Sequence, residues 1–255
     1  MSKSKRTISG RTVVITGAAS GIGRALAQRL SAHGCAVAIA DVDEKGLKET
    51  DALLTGPTLV RVLDVRDAQA QRDFAAEVRE WAPTPIAAVF NNAGVAVAST
   101  VLEGEPEDDA WLWDINFGGV VNGTRAFLPI LVDQKDGVIV NTSSVYGLMS
   151  VPNQSAYCSA KFAVRGYTDS LRHELRGTGV TAITVHPGGV NTNIVRNSRI
   201  RVDPDGPSKD QIAQQFAAVT MTEPDKAAEV IHRGVERGKA RILIGPDAYL
   251  FDTLA

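Results

Sequence analysis

The sequence has little of what would mark several protein classes. Only two of its 255 residues are cysteine, Cys35 and Cys158. Two cysteines cannot build a disulfide framework, and this pair has no metal-ligand spacing, so both read as free thiols of a reducing compartment. An excess of one charge is also missing, since 27 Lys+Arg against 29 Asp+Glu leaves a net charge of −2. That gives no basic footprint for nucleic acid and no polybasic patch for a membrane. No apolar stretch approaches the ~18 residues of a membrane span. The basic start "MSKSKRTISG" lacks the apolar run of a signal peptide. His33, His173, His186 and His232 are scattered without ligand spacing, so no metal is expected. Without a Pro/Ser-rich linker or an internal repeat, the chain is expected to be one cytoplasmic domain over 1–255. Its tail, "RILIGPDAYLFDTLA", starts as a strand and stops after a short amphipathic turn, so a few native residues past it are neither implied nor excluded.

What is present is a regular alternation. Apolar, β-rich runs lie at 11–16, 36–40, 58–63, 86–90, 137–142, 180–185 and 241–244, and several are continuous rather than alternating. Continuous runs suit strands covered on both faces. Helix-patterned segments separate them. In the first, Ile22, Leu26 and Leu30 fall on one face and Gly34 is placed to end it. The order predicts an α/β fold with three layers, a doubly wound parallel sheet of about seven strands with helices on both faces. The polar stretch from Gly188 to Met221 follows a strand end, where such sheets bind ligands, and is read as a substrate lid.

"TGAASGIG" (16–23) follows the first strand and opens the first helix, with glycines at 17, 21 and 23. Glycine permits a tight turn and close approach of backbone to a pyrophosphate, and the helix N-terminus adds free N–H groups and partial positive charge. In a βαβ unit this points to a dinucleotide. Asp41 follows the second strand, eighteen residues after Gly23, near the ~20-residue spacing at which an acid bonds the adenosine ribose. Its charge would repel a 2′-phosphate, and no Arg or Lys stands at position 20 or directly after 41, so NAD is favoured over NADP. Capping the next helix is the simpler role open to Asp41. Asp64, in "LDV", could meet the adenine amino group, with Val65 offering backbone, or cap a helix.

"NNAG" (91–94) follows the fourth strand and "NTSSVYG" (141–147) the fifth, placing Ser144 at a strand end. Thirteen residues on comes Tyr157, and four further Lys161, in "YCSAK" on a helix-patterned segment. Residues at i and i+4 share a helix face. Alone they would be ordinary solvated surface. An ammonium and a nicotinamide cation near a phenol would move its pKa from ~10 toward neutrality. Such a phenol can give a proton to a carbonyl oxygen as hydride reaches carbon, and a serine hydroxyl can hold that oxygen.

The elements "TGAASGIG", "NNAG", "DINFGGVVNGT", Ser144–Tyr157–Lys161 and "HPGGVNT" occur in an order that resembles the short-chain dehydrogenase/reductase family over nearly the whole chain. The resemblance implies a Rossmann fold and a catalytic set of Asn116, Ser144, Tyr157 and Lys161. Tyr157 would be the acid/base, Lys161 would bind the nicotinamide ribose, and Asn116 would hold a water in a proton relay, a buried amide at a helix kink being the simpler role open to it. It implies cofactor contacts at Gly17, Ser20, Gly21, Ile22 and Gly23, and at Asn92, Ala93 and Gly94. Pro187, Gly188, Val190 and Thr192 would follow in a nicotinamide-facing loop.

A hydride transfer between NAD(H) and a largely apolar secondary alcohol or ketone is the expected activity. An NADPH-dependent carbonyl reductase and a non-catalytic NAD-binding sensor on the same fold are the alternatives. Val95, Val145, Leu148, Met149 and Pro187 would wall the pocket. Arg196, Arg199 and Arg201 would either meet an acidic substrate or stay solvated. Family members commonly pair through two long helices, here about 108–132 and 154–177, so a homodimer or homotetramer is expected, with Phe162, Val164 and Leu171 as candidate contacts or, equally, core residues.

Overall fold

The computed structural model describes residues 7–192, 194, 198–200, 211, 214, 220 and 222–254. Most of the expected lid, including Arg196, Arg201 and Met221, lies outside the described residues.

Seven strands form one parallel sheet. They are β1 (Thr12–Thr16), β2 (Ala36–Asp41), β3 (Thr58–Val62), β4 (Ile86–Asn91), β6 (Gly137–Thr142), β7 (Val180–Pro187) and β9 (Arg241–Ile244), in the order β3-β2-β1-β4-β6-β7-β9. They coincide with the seven apolar runs, and the main differences fall at strand ends. β2, β4 and β7 run on to Asp41, Asn91 and Pro187 because the ladder still pairs there. A second, two-stranded sheet of β5 (Val97–Ala98) and β8 (Arg199–Ile200) was not expected; two-residue strands leave no periodicity to read.

The helices are α1 (Gly21–Ala32), α2 (Glu44–Asp51), α3 (Ala68–Trp81), α4 (Pro106–Trp113), α5 (Gly119–Gln134), α6 (Ser155–Glu174), α7 (Pro224–Glu236) and α8 (Pro246–Leu254). α1 and α7 supply one core, where Leu26, Leu30, Ile231 and Val235 meet Val13, Ile15 and Ile39. Residues of α3, α5 and α6 supply the core on the opposite face, where Phe74, Phe127 and Leu171 meet Val14, Val89 and Ile139. Each fully buried Leu or Phe contributes ~1.5–3 kcal/mol against exposure. Central strand β1 is buried throughout, whereas edge strand β3 leaves Val62 52% exposed. α1 closes as expected, with Gly34 past its end at φ +80.

The run from α4 to α5 is not one regular helix. A π-helical turn, Asp114–Gly118, joins them and carries the buried Asn116. By length and composition alone, a window within Pro106–Gln134 is apolar enough to cross a membrane, which the bare sequence did not suggest. Burial explains its apolar character, since Val120, Phe127 and Leu131 have 2% exposure or less and α5 packs on α3, β4 and β6. Of the three expected interface residues, Val164 and Leu171 are core, and only Phe162 is exposed. The 3.6-residue period shows one apolar face but not which neighbour covers it.

Sheet order reverses between β1 and β4, whose neighbours run to opposite edges. At this switch point the loops after the two strands diverge and leave a crevice at their carboxyl ends.

Candidate active site

The loop after β1 is built by the absence of side chains. Gly17 takes φ +68, and a Cβ there would stand 2.7 Å from the Ala93 Cα. A Cβ on Gly23 would fall 2.0 Å from the Gly17 carbonyl oxygen. The "NNAG" segment is tied to the same loop. Asn92 Nδ2 donates to the Thr16 carbonyl at 3.2 Å, and the Asn92 and Ala93 N–H groups donate to Thr16 Oγ1 at 3.1 and 3.2 Å. Ser20 stands at the N-cap of α1 without using its side chain as a cap, and Gly21, Ile22 and Gly23 form the first turn. Its leading N–H groups therefore lack intrahelical partners where the helix opens on the crevice.

Asp41 ends β2 beside this turn. Its Oδ2 accepts the Ala19 N–H at 3.0 Å and its Oδ1 the Asp43 N–H at 3.1 Å. It is not the cap of α2; Asp43 caps that helix by accepting from Gly46 N–H. Nor does Asp64 cap α3, a role taken by Asp67. Asp64 pairs with Arg66 at 2.6 Å, which holds its carboxyl below the usual range. Val65 is buried against Gly119. Arg24, which sequence reading passed over, sends its guanidinium to the Ala19 and Gly46 carbonyls and to Glu49.

The second cluster sits across the crevice. Ser144 follows β6 and opens a 3-10 turn, Val145–Gly147, with its Oγ accepting the Tyr146 N–H at 3.1 Å. The Ser144 side chain also acts on the Tyr157 hydroxyl, drawing its pKa down. One turn along α6, Lys161 places Nζ 5.5 Å from the Tyr157 ring centroid and donates to the Thr142 carbonyl at 3.1 Å. Asn116 Oδ1 and Lys161 Nζ both close on Gly94, at 3.2 and 3.5 Å from where its Cβ would be. The Asn116 amide is engaged at both ends, accepting the Val95 N–H at 2.8 Å and donating to the Val95 carbonyl at 2.9 Å.

Burial governs protonation here. Burial pushes Tyr157 up to about 12, with Ser144 pulling it back only in part, and pushes Lys161 down to about 8. Desolvation disfavours both charged forms. The ammonium donates to the Thr142 carbonyl, and no hydrogen bond from it to the phenol oxygen is present among the described residues. Tyr157 is thus held as the neutral phenol, the form that donates a proton.

The loop after β7 closes the ring. Pro187 ends the strand and is buried, and Gly188 lies against Asp247, which accepts the Gly189 N–H at 2.8 Å. Val190 is buried and bridges to Thr222. The Thr192 methyl lies 3.1 Å from where a Gly21 Cβ would be, so this loop reaches back to the glycine turn. On the open side, Tyr146 meets Tyr157 edge-to-face at 6.2 Å, and Val95 and Trp111 pack in the same cluster as Tyr157. Val145 and Leu148, expected pocket walls, are instead 5% and 4% exposed, turned into the fold by the 3-10 turn. Arg199 stacks on Trp111 at 3.9 Å and pairs with Asp108 at 2.7 Å. Trp111 and Asp247 lie in no motif and Thr142 and Tyr146 had no role read from "NTSSVYG", so only proximity in the fold brings them in.

Comparison with known proteins agrees with this geometry. The family model described as short chain dehydrogenase matches residues 11–203. An oxidoreductase of Mycobacterium tuberculosis, SadH, is 42% identical over 252 residues, covering 96% of this chain and 90% of its own. Levodione reductase of Leifsonia aquatica is 36% identical over 217 residues, 82% of this chain and 79% of its own. A short-chain dehydrogenase/reductase from Burkholderia phymatum, solved in complex with NAD, superposes with a TM-score of 0.86 at 30% identity, covering 100% of this chain and 94% of its own. Another matched structure is bound to NADP+.

Proposed function

Because the chain belongs to the short-chain dehydrogenase/reductase family, NAD(P)-binding oxidoreductases, we propose that it transfers hydride between NAD(H) and a largely apolar secondary alcohol or ketone. The observation that carries this reading is the convergence of Ser144, Tyr157 and Lys161 on the crevice that the glycine turn borders.

A dinucleotide fits the first cluster. At Gly17 and Gly23 a Cβ would collide with backbone, so glycine is what lets the loop turn this tightly, and the first turn of α1 offers N–H groups to a pyrophosphate. Asp41, fixed by two backbone N–H groups, would receive the ribose hydroxyls and repel a 2′-phosphate. Arg24 is committed to Glu49 and two carbonyls, so it does not offset that charge. These features support NAD over NADP. Asp64, Val65, Asn92, Ala93 and Gly94, with Pro187, Gly188, Val190 and Thr192, complete the proposed cofactor contacts.

NAD(H), when bound, supplies the hydride donor or acceptor. The chain's own residues handle the proton. In reduction the Tyr157 hydroxyl gives its proton to the carbonyl oxygen while Ser144 Oγ–H steadies the developing alkoxide; in oxidation the phenolate takes the alcohol proton. Lys161 would bind the nicotinamide ribose and favour the phenolate, and Asn116 would pass protons beyond it. Part-exposed Val95, Trp111 and Tyr146 present an apolar substrate wall. Arg199 is engaged by Trp111 and Asp108, which argues against its receiving an acidic substrate. The relationship to levodione reductase supports a ketone. All seven long strands share one sheet, which supports one catalytic domain. Exposed Phe162 and Trp113 suit the helix pairing of a homodimer or homotetramer in the cytoplasm.

The test is nicotinamide absorbance with secondary alcohols and ketones, run with NAD(H) and NADP(H). Turnover is expected with NAD(H) and should fall ~10²–10⁴-fold in Tyr157→Phe while NADH affinity is kept. Tight NADH binding without turnover of any substrate would favour the sensor, and preference for NADPH would overturn the Asp41 assignment.

A further inference from the structure

The residue before the Pro187 corner is a histidine that the proposed reaction leaves unused. His186 is 0% exposed on β7, in register with Leu243 of β9, and its Nδ1 lies 2.9 Å from the Ser144 carbonyl oxygen. A carbonyl only accepts, so Nδ1 carries the hydrogen and the neutral ring has a bare Nε2. That Nε2 meets no donor among the described residues.

The backbone explains why a side-chain donor is needed there. Pairing of β6 with β7 ends at Thr142 and Val185, followed by one bond from Ser143 N–H to the Val185 carbonyl at 2.8 Å. Pro187 has no N–H, so the ladder stops. Beyond it the Ser144 turn is tied by side chains. Ser143 Oγ donates to the Lys161 carbonyl at 2.8 Å, and Arg165 Nη1 to the Gly147 carbonyl at 3.4 Å. The Ser144 carbonyl accepts from Gly147 N–H at 3.0 Å and from His186.

An apolar side chain of similar volume would occupy this buried position at lower cost, because imidazole gives up hydration and leaves one nitrogen unpaired. Its retained bond runs to the backbone of the residue whose hydroxyl meets Tyr157. Resting on the reaction proposed above, we propose that His186 is a positioning residue: its Nδ1–H holds the Ser144 carbonyl and thereby aims the Ser144 hydroxyl at Tyr157 and the substrate oxygen. Burial, assisted by Arg241 and Arg165 and opposed by Asp252, lowers the ring pKa to about 4, so the donor stays neutral at ordinary pH.

The test compares His186→Leu with His186→Asn, whose Nδ2 stands near the place of the imidazole Nδ1. In the leucine variant kcat is expected to fall roughly 10–100-fold, the range for misplacing a catalytic group by about an ångström, with KM for NAD(H) unchanged. The asparagine variant should recover most of that loss. Amide exchange of Tyr146 and Gly147, whose N–H groups bond to Ser144, should quicken in the first and recover in the second. Wild-type kcat in the leucine variant would overturn the proposal, whatever the exchange rates. So would unaltered exchange in that variant, or an asparagine variant as impaired as the leucine one. If the leucine variant does not fold, His186→Gln, whose amide reaches too far, takes its place. If no substrate turns over even in wild type, the fault lies with the proposed reaction, and the exchange comparison still decides the tether.

Discussion

The two sides of the crevice are made in opposite ways. The glycine turn is a site from which side chains have been removed: its close contacts, such as Gly17 against Ala93, are backbone on backbone. The corner around Ser144 is crowded with side chains, and Ser143, His186, Arg165 and Lys161 each spend a hydrogen bond on a backbone carbonyl. The first side should therefore fail when atoms are added and the second when they are taken away. Their response to protons should differ too, because the turn relies on peptide groups that do not titrate while the corner buries three that do.

The largest effect should come from those buried groups. His186 is neutral in the fold down to about pH 4, while an unfolded histidine titrates near 6.5. Between these values the unfolded chain binds the extra proton, so stability falls as pH drops from about 6.5 to 4, by about 3 kcal/mol from this group. Denaturant titrations across that window should show the loss in wild type and not in His186→Asn; equal slopes would mean that the contrast between the two sides is not one of titration. Somewhat smaller is the cost of filling the turn. Gly23→Ala places a Cβ 2.0 Å from a carbonyl oxygen. It should cost about 2–3 kcal/mol, roughly a 100-fold rise in the NADH dissociation constant. Near-wild-type binding by calorimetry would show that the turn yields more readily than backbone packing implies. Smallest is Asp41→Ala, which removes a charged hydrogen-bond partner and should weaken NAD roughly tenfold while improving NADP. Unchanged preference in parallel titrations would remove Asp41 from the discrimination.

Much of this was legible beforehand, for stated reasons. Apolar, β-rich runs bounded by turns marked all seven long strands, and several of them are continuous because the inner strands of a parallel sheet are covered on both faces. Gly34 announced the end of α1, because a left-handed residue is needed there. Residues in fixed local spacing, such as Tyr157 and Lys161, could be paired on one face. Assignments failed where the answer depended on a neighbour distant in sequence. Val164 and Leu171 look the same as Phe162 in one dimension, yet they face the sheet and it does not. Val145 and Leu148 were turned inward by a 3-10 turn too short to show a period.

By itself the sequence determined the order of strands and helices, the glycine turn and the chemical repertoire of the crevice, because each is written in local propensity or a short spacing. Only the tertiary structure decided the electrostatic state of that repertoire. Tyr157 titrates high and Lys161 low because burial removes their water. It also gave His186 a partner forty-two positions away. Desolvation and long-range hydrogen bonds depend on what surrounds an atom in three dimensions, and a residue's place in the chain does not contain that.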